Sequence, residues 1–178
     1  MNYLLFCFVC LFVYPFYSQT GRSVAREANQ YYYDSLYVDA EVKYKKSLIQ
    51  NHSSNEVKFN LANTLIKQGR FEDAENLLND VIFNSSDSIL VSEAYYNAGN
   101  SFLQQNKISE AVNAYKNCLR INPDDEQARY NLSKSLSLLN NQKNNDNNQD
   151  KQNDDKEESQ NSGQTDGDKD DSKNNNKK

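Results

Sequence analysis

The chain has 178 residues, of which 25% are charged and 11% aromatic, with five Gly, two Pro and a formal net charge of −5. An acidic chain with no basic face offers nucleic acid no electrostatic footprint. One histidine, three cysteines and five glycines exclude a histidine-paired nucleophile, a His/Cys metal cluster and a glycine-rich phosphate loop, so no catalytic residue, metal or cofactor is expected.

Met1 to Tyr17 reads MNYLLFCFVCLFVYPFY and carries no charged side chain. The run falls short of the ~20 residues that a spanning helix needs. It has the length of the apolar core of an export signal, broken near its end by Pro15. Residues 1–18 are therefore read as a signal peptide cut after Ser18, which implies an exported protein. The alternative is an uncleaved anchor in the inner membrane, the only case in which the chain contacts a membrane. Cys7 and Cys10 have C-x-x-C spacing, but inside an apolar run with no strand context it carries no redox or metal reading.

Past this segment the sequence repeats. Asp34-Ser-Leu-Tyr-Val-Asp-Ala-Glu, Gln68-Gly-Arg-Phe-Glu-Asp-Ala-Glu and Gln105-Asn-Lys-Ile-Ser-Glu-Ala-Val align on Ala40, Ala74 and Ala111, which are 34 and 37 residues apart. Such a period marks a helical-hairpin array. The first unit, 21–54, carries Val24, Ala28, Tyr31, Ala40, Tyr44, Ser47 and Leu48. The second, 55–88, follows a capping-box match at Ser53–Glu56 and carries Leu61, Ala62, Leu65, Ala74, Leu78 and Val81. The third, 92–125, places Tyr95, Ala98, Gly99 and Phe102 on one helical face and Ala111, Tyr115, Cys118 and Leu119 on a second. Ile89, Leu90 and Val91 lengthen the helix that opens it. Small residues at Gly99 and Ala111 let the two helices of a hairpin approach closely.

A further helix begins near Asp124, whose acidic neighbours suit the positive end of a helix dipole, and caps the array over 126–140 with Ala128, Leu132, Leu136 and Leu139 on one face. From Asn141 the chain contains no Leu, Ile, Val, Phe, Tyr or Ala and has a net charge of −3. Such a segment buries too little apolar area to offset its ordering entropy, so 141–178 is expected to be disordered.

These units resemble tetratricopeptide repeats, with Tyr95 where Trp is commonest and departures at Lys58 and Glu27. The resemblance implies an all-α, right-handed α-solenoid of three helical hairpins plus the capping helix. It also implies a protein–protein interaction scaffold whose inner helices line a concave groove. By register, Asn29, Phe59, Asn60, Asn63, Tyr96, Asn97, Asn100 and Tyr130 face that groove, with Asn131 continuing the line on the capping helix. Asparagine amides both donate and accept, so a ladder of them suits the backbone of an extended peptide. Tyrosines add apolar area with a polar tip. The family's carboxylate clamp needs a Lys where this chain has Ala25, which argues against a C-terminal carboxylate as ligand. Together with the junction Asp124–Leu132 and the Asn/Asp/Lys-rich tail, the arrangement is similar to the BatC-type aerotolerance proteins of Bacteroidetes. That similarity implies a periplasmic adaptor beside membrane-bound von Willebrand A-domain proteins and a MoxR-type ATPase. Two other readings are a membrane-tethered spacer and a thiol redox protein acting through Cys118.

Overall fold

The computed structural model describes residues 21–51 and 53–142. Residues 1–20, with the expected signal peptide, His52, and residues 143–178, with most of the tail expected to be disordered, lie outside the described residues. Among the described residues there are seven helices and no strand: α1 (21–33), α2 (Tyr37–Gln50), α3 (Asn55–Lys67), α4 (Phe71–Asn84), α5 (Ser88–Gln104), α6 (Ile108–Ile121) and α7 (126–142). One compact unit runs through Ser137. None of these helices is long and apolar enough to cross a membrane.

Each hairpin turns at a residue in the left-handed region: Ser35 (φ 60°), Gly69 (φ 75°) and Asn106 (φ 59°). The same bond closes each turn. The amides of Leu36, Arg70 and Lys107 donate to the carbonyls of Tyr31, Leu65 and Phe102, each at 2.9 Å, satisfying helix-end carbonyls that lack an intrahelical partner. Only Gly69 adopts this conformation without steric cost; Ser and Asn are held there by the flanking helices.

Two helix starts differ from the sequence reading. The cap of α3 is Ser54, not Ser53: its Oγ accepts from the Val57 amide at 3.4 Å. The reciprocal half of the box is absent, because Glu56 meets the Ser54 hydroxyl instead. In α7, Asp125 caps the helix by accepting from the Ala128 amide at 2.9 Å, so the helix begins at 126 rather than at Asp124. Its buried face also shifts. Ala128 and Ser135 are fully buried while Leu136 is exposed, because the Ser135 hydroxyl is satisfied by donating to the Asn131 carbonyl.

Within the hairpins α3 packs on α4 and α5 on α6; α2 meets α3, and α4 meets α5, to join successive hairpins. The core follows the repeat. Ala28, Ala40, Ala62, Ala74 and Ala111 have no exposed surface, and Tyr44, Leu78 and Tyr115 fill the space beside them. At Gly99 the approach is closest: a Cβ there would lie 2.6 Å from Tyr115 Cε1.

Hairpins one and two are also joined by a buried carboxylate. Glu41 on α2 accepts from Arg70 Nη1 at 2.7 Å and Gln68 Nε2 at 3.0 Å, both from the α3–α4 turn, and pairs with Lys45 at 2.7 Å. Lys58, polar where an apolar residue is expected, pairs with Asp80 on α4 instead of entering the core. Burial alone would raise the Glu41 carboxyl, but the bonds from Lys45, Arg70 and Gln68 outweigh it and hold it at about 2.

Two predictions follow from this packing. Gly99→Ala forces the tethered Tyr115 ring to move and is expected to cost about 1–3 kcal/mol in denaturant unfolding. For Glu41, the folded-state pKa lies below the ordinary value of 4.5. Its stabilisation is therefore full above about pH 5 and lost as the pH falls toward 2. Glu41→Gln should lower stability at neutral pH by on the order of 2–3 kcal/mol. The gap to the parent should close as both are melted at successively lower pH.

Candidate partner-binding groove

The asparagines of the inner helices form three rungs across the joints of the array. Asn60 Nδ2 donates to Asn29 Oδ1 at 3.4 Å, Asn97 Nδ2 to Asn63 Oδ1 at 2.8 Å, and Asn131 Nδ2 to Asn100 Oδ1 at 3.1 Å. Each rung ties one inner helix to the next. Tyrosines of the outer helices reinforce the ends: Tyr44 donates to Asn29 Oδ1 at 2.6 Å and Tyr115 to Asn100 Oδ1 at 2.7 Å. Burial pushes the Tyr44 hydroxyl up to about 12 and raises that of Tyr115, so both remain protonated donors. Leu78 occupies the equivalent place in the second hairpin and supplies no hydroxyl.

Half of each amide is thereby committed to the protein itself. What remains toward the groove is ordered: Asn29, Asn63 and Asn100 keep Nδ2 as a donor, while Asn60, Asn97 and Asn131 keep Oδ1 as an acceptor. None of these six atoms has a hydrogen-bond partner among the described residues. The amide ladder thus exposes donors and acceptors alternately, rather than both at every asparagine.

Two recesses divide the site. One gathers Asn63, Asn97 and Asn100 with Tyr32, Ile66, Lys67 and Gln104. The other gathers Asn29 and Asn60 with Arg22, Ala25 and Arg26. Of the aromatic residues expected in the groove, Phe59 lies half-buried against the core. Tyr96 stands 6.0 Å from the Tyr115 ring, and its hydroxyl donates to Gln127 and accepts from Asn131, each at 3.3 Å. Tyr130 is 69% exposed on α7 and lines neither recess. Sequence reasoning did not single out Ile66, Lys67 and Gln104. Their signal is spacing: each follows a ladder asparagine by three or four residues on the same helical face.

Cys118 has no exposed surface. Its sulfur lies 3.3 Å from the Ser92 hydroxyl, and burial raises the thiol. A buried thiol with a raised pKa is a packing residue, since the thiolate is the reactive species.

Asn100 carries two bonds on one oxygen. Asn100→Leu should leave the Tyr115 hydroxyl without an acceptor and Asn131 with only the Tyr96 hydroxyl, and cost about 1–3 kcal/mol in denaturant unfolding. Asn100→Asp, which retains the oxygen, should stay close to the parent.

A family model described as a tetratricopeptide repeat matches residues 34–99, and a second, described as a TPR repeat, matches 99–137. No curated protein matches the chain in sequence. Solved structures with a similar fold include the first TPR of Spaghetti (RPAP3) bound to the HSP90 peptide SRMEEVD. It is 23% identical, covers 68% of this chain and 94% of its own, and has a TM-score of 0.63. The N-terminal domain of stress-induced protein-1 from C. elegans is 19% identical over 67% of this chain and 97% of its own, with a TM-score of 0.61. The TPR2AB domain of yeast Sti1, in complex with pHSP90, is 17% identical over 70% of this chain and 49% of its own, with a TM-score of 0.65. Residues 34–99 and 99–137 thus match tetratricopeptide-repeat models, and the hairpins that pivot on Ala40, Ala74 and Ala111 have the fold of solved tetratricopeptide domains.

Proposed function

We propose that this chain is a non-enzymatic interaction scaffold whose concave face holds an extended segment of a partner protein. The observation that carries this reading is the alternation of free donors and acceptors along the asparagine ladder. A peptide backbone presents N–H and C=O groups in alternation, and an array fixed by its own rungs meets them without first ordering its side chains. Lys67, Arg22 and Arg26 add positive charge along the lining, and Tyr32 and Ile66 add apolar area. Tetratricopeptide domains of the same fold hold HSP90 and HSP70 peptides, which supports a peptide as occupant. With Ala25 in place of the clamp lysine, the interior of a segment is the better fit than its C-terminal carboxylate.

We place this scaffold in the cell envelope, on the strength of the apolar run Met1–Tyr17. A BatC-like complex is the working assignment, and a membrane-bound von Willebrand A-domain protein is the first partner to test. That choice rests on the resemblance at Asp124–Leu132 and the tail.

Because the oxygens of Asn63 and Asn100 serve the fold and their nitrogens stay free, the two roles separate by substitution at these positions. Asn63→Asp with Asn100→Asp keeps both acceptors and removes both donors. The double variant is expected to melt near the parent and to lose capture of envelope partners in a cross-linked pull-down. Undiminished capture would place the contact elsewhere on the molecule.

A further inference from the structure

The convex side holds a third recess, between α4 and α6 and floored by the outer face of α5. Its floor is apolar: Ile82, Tyr95, Ala98, Phe102 and Ala114. On its banks stand Glu75, from α4, and Glu110, from α6. Neither carboxylate has an ion-pair partner among the described residues.

The array itself shows what this joint lacks. Glu75 occupies in the second hairpin the place that Glu41 occupies in the first; each follows its unit's pivotal alanine. At the first joint Glu41 is closed by Lys45 from its own helix and by Gln68 and Arg70 from the next turn. At the second joint none of these contacts to the carboxylate is made. Asn79 stands where Lys45 would be. Gln105, the counterpart of Gln68, turns its amide back onto Ser101 at 3.3 Å. Lys107, the counterpart of Arg70, lies over the Phe102 ring at 5.8 Å. An internal cation pairs with the carboxylate of the first joint, whereas at the second Lys107 sits on the Phe102 ring and neither Glu75 nor Glu110 is ion-paired.

We propose that this convex recess is a docking site for a cationic segment of a partner protein, in which an arginine side chain takes the place that Arg70 fills at the first joint. A guanidinium between Glu75 and Glu110 would restore the missing ion pairs. Its flat face and carbon stem suit the Tyr95 and Phe102 rings. The seat of Lys107 on Phe102 shows that this ring already accepts a cation. A neighbouring leucine would cover Ile82 and Ala114. The site lies on the face opposite the asparagine ladder and does not depend on the groove reading.

Fluorescence anisotropy of a fluorescein-labelled peptide of alternating leucine and arginine tests the proposal, with citrulline in place of arginine as the neutral control. The full chain is expected to bind the arginine peptide more tightly than the citrulline peptide. Glu75→Gln with Glu110→Gln should weaken binding by about tenfold or more, since two charge-assisted contacts are lost. Asn79→Lys installs the internal cation of the first joint; it should weaken binding equally while the fold remains intact by circular dichroism. Asp39→Asn with Glu126→Gln removes the same charge from α2 and α7 and should leave binding unchanged. Equal binding of the two peptides, unchanged affinity in the Glu75/Glu110 and Asn79 variants, or an equal loss in the charge-matched control would each overturn the proposal.

Discussion

A helical hairpin of this size cannot bury its apolar face alone, so the array depends on how one inner helix is fixed to the next. Here that task falls to three side-chain amide bonds: Asn60 to Asn29, Asn97 to Asn63 and Asn131 to Asn100. Apolar packing supplies most of the burial, but it is non-directional and would tolerate small slides of one helix past another. A hydrogen bond between two half-buried amides tolerates little, because a slide leaves both groups poorly paired. The rungs therefore set the spacing of the inner helices, and with it the spacing of whatever the concave face presents.

The same bonds give the groove its polarity. An isolated asparagine can turn its amide either way, and a groove lined with such residues would be indifferent to the direction of a bound chain. Once Asn29, Asn63 and Asn100 spend their oxygens on the neighbouring repeat, their nitrogens are left facing outward. The reverse holds for Asn60, Asn97 and Asn131. Structural satisfaction and recognition are thus two halves of one side chain, and the fold orders the site before any partner arrives.

The two joints between full hairpins are not equivalent. The first is sealed on its convex side by Glu41, Arg70 and Gln68. The second has the longer spacing: its α5 runs to 17 residues against 13 for α3, and the apolar Tyr95 replaces the ion-paired Lys58 on its floor. A change of one polar residue at Asn79 and a redirected lysine at Lys107 leave the acidic banks unneutralised. Internal repetition makes such differences readable, because each unit serves as a reference for the others.

The sequence by itself determined the helical class, the hairpin period, the near-contact at Gly99, the pivotal alanines and the register that puts asparagines on the inner face. Those follow from spacing and side-chain size, which act locally or between adjacent helices. It misplaced the cap of α3 by one residue, because Ser53 and Ser54 are equally good acceptors until the chain direction is set, and it opened α7 near Asp124 rather than after the capping Asp125. It also assigned Leu136 to the buried face of α7, where Ser135 lies instead once its hydroxyl finds the Asn131 carbonyl. Tertiary structure alone decided which half of each amide stays free and which carboxylate finds a cation. Partners 27 to 34 residues apart make those choices, and a sequence pattern shows the side chains available but not which of them meet.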